Sequence, residues 1–370
     1  MTTSPLDSPT DLPLASLHEE LNASWMVHGG VRVPARYGSS SDREDQALNL
    51  GTGLIDLSFR DHLDLHGEDR LRFLNGQMTC DVKDLQPGQG VYGFFATAKG
   101  RIEADGIVFA LEDRLRLELP PGTGALIRQR LEKYIIADRV EIHDGPKDAY
   151  LLLAGPGAQS CLTKASLQLP KDPWNHLEAE LLGNSIRIVH QEGLGIQAFA
   201  LWSSPSAAEA IVSHWIGEAE PSAPQPVGFE ALNRVRIEAG IPWFGADFGP
   251  ENLPQETGLD QAINFTKGCY LGQEIIARLH YRGQISRGLR RLKIEAEAPP
   301  AAGTELFLDG KKVGSVTSAA SSSRQGGIVG LGIVQRKAFE GGTQLQVGSL
   351  GTAEILPPAA SPPSNNPDVG

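Results

Sequence analysis

Asn264–Arg291, NFTKGCYLGQEIIARLHYRGQISRGLRR, decides how this chain is read. It holds one of only three cysteines, inside Lys267-Gly268-Cys269-Tyr270-Leu271-Gly272-Gln273-Glu274. Lys267, Arg278, Arg282, Arg287, Arg290, Arg291 and, just beyond, Lys293 stand against a single acid, Glu274. In a chain of formal net charge -12 this reverses the sign locally. A cationic patch concentrates anions, whereas the same charges spread over a solvated face do nothing specific. Lysine beside a thiol favours thiolate, so Cys269 reads as a reactive cysteine, with His280 the one histidine near it in sequence. The alternative is a small residue packed in a turn between Gly268 and Gly272. Glu274–His280 suits either a helix or a strand.

Downstream of Gln284 the texture changes. Ile285–Ile294, Glu305–Leu308, Lys312–Thr317, Gly327–Val334, Gln344–Val347 and Gly351–Ile355 are short runs separated mostly by glycine-containing turns. That spacing predicts a small all-β domain, a barrel. Upstream, the pattern is α+β. Val91–Leu119 reads as an antiparallel meander, with turns at Lys99-Gly100 and Glu112-Asp113. Helices are expected over Leu14–Trp25, with Ser16 as its cap, and over Arg43–Leu50, capped from Ser39–Asp42. Further helices are expected over Thr123–Tyr134, with Leu126, Ile127, Leu131 and Tyr134 on one face, and over Ala158–Leu167, Ser206–Gly217 and Phe229–Ala239.

Chemistry-bearing residues cluster in three more places. Glu103 and Asp105 share one strand face, as period-two alternation requires, opposite Ile102 and Ala104. Paired carboxylates can do acid–base work when their environments differ. They also serve as the wet face of a half-buried sheet, here with Arg101 as an ion partner. Tyr92, Phe94, Phe95, Trp243, Phe244 and Phe265 offer either stacking surface for a flat heterocycle or ordinary core. The loop Glu251–Glu256 adds polar groups near them in sequence.

The totals set outer bounds. A length of 370 residues suffices for two or three domains. A pI near 5.3 argues against broad nucleic-acid binding, so no stable nucleic-acid partner is expected. Cys80, Cys161 and Cys269 lack the CxxC spacing of a zinc ribbon or a self-contained iron–sulfur site, so no metal ligand set is assigned. Cys80 and Cys161 read as buried thiols of a reducing compartment. The opening MTTSPLDSPTDLP lacks the pattern of a signal peptide, and no apolar run reaches membrane-span length. A cytoplasmic protein is the expectation.

Lys267–Glu274 resembles the KGCYxGQE signature of the YgfZ family, which includes mitochondrial iron–sulfur assembly factors and is related to the glycine cleavage T-protein, an aminomethyltransferase. Three upstream pieces are similar to that family in the correct order. They are Arg236–Pro242 with Gly245-Ala246-Asp247, Pro254–Leu259, and Phe73–Val82 (FLNGQMTCDV). The likeness runs from about Leu48 to Leu356. It implies an α+β fold, a T-protein-like tripartite ring body with a central folate-binding hole and a C-terminal β-barrel.

Read this way, residues 1–40 are an N-terminal arm, 41–150 a first α+β domain and 151–283 a second carrying the motif. Residues 284–356 are the barrel and 357–370 a disordered tail. Tetrahydrofolate is the implied ligand, and iron–sulfur client or assembly proteins are the implied partners. The implied role is iron–sulfur cluster assembly or maintenance, including that of tRNA-modification enzymes. Folate-dependent aminomethyl or one-carbon transfer to or from an amine is the alternative. Cys269 and Asp105 are the catalytic candidates. Lys267, Tyr270, Gln273, Glu274, Asp247, Glu256, Arg236 and Phe95 are the candidates for holding folate. One departure matters: the T-protein has adjacent aspartates where this chain has Ala104-Asp105, and the loss of one carboxylate favours a YgfZ-like factor over the glycine cleavage enzyme.

Overall fold

The computed structural model describes residues 8–38, 42–217, 223–322 and 324–357. The proposed Ser39–Ser41 cap and nearly all of the C-terminal tail lie outside the described residues. The chain forms two compact units that interleave along the sequence. One takes Met1–Phe73, Asp84–Val91 and Gly106–Asn233, and the other Leu74–Lys83, Tyr92–Asp105 and Arg234–Gly370.

In the first unit a six-stranded sheet runs His176–Leu181, Asn184–Gln191, Ala198–Ser203, Ala149–Ala154, Gly53–Asp56, Gln225–Pro226. AYLLLA and AFALWS are buried at every position, which explains their unbroken apolar composition. Leu151, Leu153, Ile188 and Leu201 pack with Leu162, Ala208, Ile211 and Trp215 from the helices Ala158–Lys164 and Pro205–Gly217. The pairing of Gly53–Asp56 with Ala149–Ala154 joins two segments that are remote in sequence.

A polar layer is buried in the same unit. Arg116 makes a two-pronged ion pair with Asp64 at 2.9 and 3.0 Å, and Tyr150 donates to Gln191 at 2.7 Å. His62 packs edge-on against Tyr150 and Trp202. Burial, followed by the Arg116 charge, pushes His62 down to about 3; burial and Arg187 push His176 down to about 4. Both rings are therefore neutral in the fold at pH values where an unfolded histidine, near 6.5, has begun to protonate. The unfolded chain then binds more protons, so this stability is present above pH 6.5 and is lost as pH falls towards the folded values. Each ring should cost on the order of 1 kcal/mol per pH unit within that window. Urea unfolding at pH 6.5 and 4.5 should show a shallower acid loss for His62→Phe than for the parent. Equal slopes would exclude His62 as a source.

Several local expectations need correction. The first helix is only Ala15–Glu20; it starts after Leu14 with no side-chain cap, so Ser16 does not cap it. Asn22, at φ 58°, turns the chain into a strand, Ala23–His28. Leu126 is 44% exposed, and Ile127 and Leu131 carry the buried face of Gly124–Tyr134. Cys80 is buried as expected, but Cys161 is only half-buried.

The expected meander is three strands of a five-stranded sheet ordered Gly90–Ala96, Ile102–Ala110, Leu115–Leu119, Asp61–His66, Glu141–Asp144. In the second unit the change of texture after Gln284 is a closed six-stranded barrel. Leu292, Ile294, Leu306, Val316, Val334 and Val347 fill it. The α+β class with a C-terminal barrel is thus the one expected. Among the described residues no helix is long and apolar enough to cross a membrane.

Candidate functional site

The motif stretch is shaped by two close backbone approaches within the second unit. Gly272, at φ 85°, begins the helix Gln273–Arg282, and a Cβ there would lie 2.4 Å from the Thr97 carbonyl. Only glycine suits that conformation and that gap. A Cβ on Gly100 would lie 3.1 Å from Ile275. The hairpin turn Thr97–Gly100 therefore rests on the start of the helix. That contact fixes the strands carrying Tyr92, Phe94 and Asp105 relative to the motif.

Lys267 is buried, and its ammonium donates to the carbonyls of Asn75 at 2.7 Å, Met78 at 2.9 Å and Cys80. Asn264 Oδ1 caps the preceding turn by accepting from the Lys267 N–H at 2.9 Å. Burial pushes Lys267 down to about 8. Its charge acts on the thiol of Cys80, where burial prevails and pushes the pKa up to about 12. The lysine expected to serve Cys269 is thus a clamp on the Asn75–Cys80 turn. Cys269 is exposed, and His280, its expected base, stacks on Phe265 at 3.7 Å between ring centres.

Asp105 is buried, and its Oδ2 accepts from the Tyr92 hydroxyl at 2.8 Å. Arg101, the expected ion partner of this face, instead donates to the main-chain oxygen of Glu251 at 2.6 Å. Tyr92 abuts an aromatic cluster. Phe94 lies 5.9 Å from both Tyr92 and Phe248, and Phe244 lies 5.8 Å from Phe248. Tyr270 and Ile276 of the motif join this cluster, with Phe265 and Leu259 packed against it. Phe95 is fully buried and, as the strand neighbour of Phe94, points to the opposite face.

The buried polar atoms of this region include the Tyr270 hydroxyl and Gln255 Oε1, neither with a hydrogen-bond partner among the described residues. Gln255 Nε2 is engaged by the Ile276 carbonyl at 2.7 Å, which fixes the amide. Burial pushes Tyr270 up to about 12, so it remains a neutral hydroxyl. Orphaned buried groups cost free energy and point to an absent partner.

The other candidates hold loops. Glu256 accepts from Asn252 at 2.9 Å, from the Leu253 N–H and from Arg287 at 3.2 Å. Asp247 pairs with Arg236, both buried, and accepts from Thr317 and Ser318 of the barrel strand Lys311–Ser321. Gln273 reaches the Lys267 carbonyl at 3.5 Å, and Glu274 is exposed. The basic run does not form one surface. Arg287 is held by Glu256, Arg290 lies over Phe339, and Arg291 donates to the Glu238 carbonyl. Arg278, Arg282 and Lys293 stay exposed. Gln255 belongs to the polar loop Glu251–Glu256 that the sequence points to, although nothing there singles it out; the hydroxyl bond of Tyr92 escaped the sequence reading. Strand register across the Lys99-Gly100 turn was the signal for Tyr92.

Residues 14–267 match the family described as the GCVT N-terminal domain, and residues 287–360 the glycine cleavage T-protein C-terminal barrel domain. A chloroplastic protein of Arabidopsis thaliana with a provisional transferase name is 32% identical over 351 residues, 92% of this chain and 80% of that one. An aminomethyltransferase of Saccharopolyspora erythraea is 26% identical over 367 residues, 96% of this chain and 98% of that one. The glycine cleavage system aminomethyltransferase T of Bartonella henselae superposes with a TM-score of 0.85 at 25% identity, covering 95% of this chain and 97% of that one.

Proposed function

Because the chain belongs to the glycine cleavage T-protein (aminomethyltransferase) family, we propose that it binds tetrahydrofolate and passes a one-carbon unit between that carrier and an amine. The observation that carries this is the buried Asp105–Tyr92 pair beside an aromatic cluster with two unpartnered polar atoms. A pterin is flat and edged with donors and acceptors, so aromatic faces plus the Tyr270 hydroxyl and Gln255 Oε1 suit it chemically. Bound folate supplies the nitrogen that carries the one-carbon unit. Asp105 supplies a carboxylate for the proton or positive charge on that nitrogen. Lys267, Arg236, Asp247 and Glu256 serve the ligand by fixing its loops, while Tyr270, Gln273, Glu274 and Phe95 are the remaining candidates for folate contact.

Asp105→Asn keeps the shape and can still accept from Tyr92 but cannot take a proton. We expect it to lower folate-dependent one-carbon turnover by roughly 100-fold or more while leaving the unfolding midpoint near that of the parent. Turnover unchanged in that variant would sink the assignment.

A second role, as a folate-binding accessory in iron–sulfur cluster assembly or maintenance, is favoured by one observation: Cys269, inside the KGCYxGQE stretch, is the exposed thiol. One cysteine cannot hold a cluster alone, so a partner or second copy would complete any such site. Cys269→Ala should change stability by no more than about 0.5 kcal/mol, because the side chain is exposed. It should nevertheless fail to complement a knockout. Complementation equal to the parent would remove Cys269 from the function. Folate binding without turnover of any supplied amine would favour the accessory role over the transferase.

A further inference from the structure

The loop Gly245–Glu251 and the outer face of the barrel strands Lys311–Ser321 and Ile328–Gln335 border a cleft of about 540 Å³. None of Tyr92, Asp105, Gln255 and Tyr270 lines it. Its size falls in the range of roughly 300–1,000 Å³ typical of small-molecule sites. Val313, Val316 and Val334 fill the barrel core, so the intervening positions Lys312, Ile333 and Gln335 are directed outwards.

Four ionisable groups line the cleft, and one is already committed. Asp247 is consumed by Arg236, the Trp243 N–H, Thr317 and Ser318. Arg287 uses Nε on Glu256 and Nη2 on the Glu251 carbonyl, and its Nη1 donates to no group among the described residues. Lys312 pairs with Glu305 at 2.6 Å, but both side chains are about half exposed. Such a pair is weak and exchanges readily for a better partner. Glu251 is hydrogen-bonded only through its main-chain oxygen among the described residues, which leaves its carboxylate without a bond. Phe248, Pro250 and Ile333 add apolar wall between these charges.

Two cations with donors to spare, one unengaged carboxylate and an apolar wall complement one chemical class. We infer that this cleft binds a zwitterionic amino acid with a large apolar side chain. Its carboxylate meets Arg287 and Lys312, its ammonium meets Glu251, and its side chain lies against Phe248, Pro250 and Ile333. The inference does not depend on folate binding at Asp105, since it uses none of those residues.

The test is amide shift mapping on the isotope-labelled full chain with three probes: L-phenylalanine, 3-phenylpropionate and phenethylamine. L-Phenylalanine should move the amides of 245–251, 312–315 and 333–335. It should bind about fivefold or more tighter than either single-charge analogue, the worth of one charge-assisted contact. Lys312→Met should weaken it by a similar factor. Gln335→Trp, which fills the cleft from an exposed strand position, should abolish it while the rest of the spectrum stays folded. Equal affinity of the three probes would overturn the zwitterion assignment. Shifts elsewhere, no binding, or unchanged binding by Gln335→Trp would overturn the site.

Discussion

Asp247→Ala is expected to lower the unfolding free energy by about 3–5 kcal/mol, the usual cost of removing one partner of a buried ion pair. Asp247 and Arg236 are a deeply buried pair of opposite charges in the second unit, with side chains 0% and 2% exposed. Burial pulls Arg236 below its usual range while Asp247 holds it up, yet a guanidinium stays charged. Alanine would leave that charge without its carboxylate, among neighbours that include the Ile241 carbonyl, the Ser318 hydroxyl and the Trp243 ring. It would also remove the carboxylate that accepts from the Trp243 N–H and the Thr317 hydroxyl. Urea unfolding measures the loss directly. The double variant Arg236→Met, Asp247→Ala should recover part of it, because the stranded charge is then gone. A single-variant loss below about 1 kcal/mol would show that the pair contributes little.

Lys267→Met is expected to cost about 3 kcal/mol, close to 1 kcal/mol for each of the three carbonyls left without a donor. Methionine retains much of the stem's packing, so the loss reports the ammonium. At neutral pH that ammonium is charged even with its pKa pushed down to about 8. The measurement is again urea unfolding, supported by amide exchange over Asn75–Cys80, which should accelerate because the turn loses its anchor. Unchanged exchange there would contradict the clamp.

These two residues mark the limit of what the sequence discloses. The barrel was legible because alternating strands and glycine turns are local signals, and the motif order around Arg236, Asp247 and Lys267 marked all three as site candidates. Their destinations were not legible. Lys267 bonds across 187–192 residues of chain, and no local pattern reports such a distance. Its neighbour in sequence, Cys269, attracted the electrostatic argument that belongs to Cys80. The basic run failed for the same reason: adjacent arginines on the strand Arg287–Ala296 point to opposite faces and find different partners. Asp105 could be placed on a strand face by counting, but not that the face would be buried. The neutral histidines of the first unit left no signal at all, since what covers His62 comes from other strands.

The interleaving of the two units carries a consequence for biosynthesis. Leu74–Lys83 and Tyr92–Asp105 leave the ribosome early, whereas the rest of their unit begins only at Arg234. At about 5–20 residues per second, the intervening stretch keeps them waiting on the order of ten seconds. During that interval Phe94, Ala96 and Ile102 have none of the native cover contributed by Ile263, Tyr270 and Ile276. This apolar cluster therefore closes only once the C-terminal third has been made, and a nascent chain stalled before Lys267 is expected to leave the Tyr92–Asp105 hairpin open to chaperones.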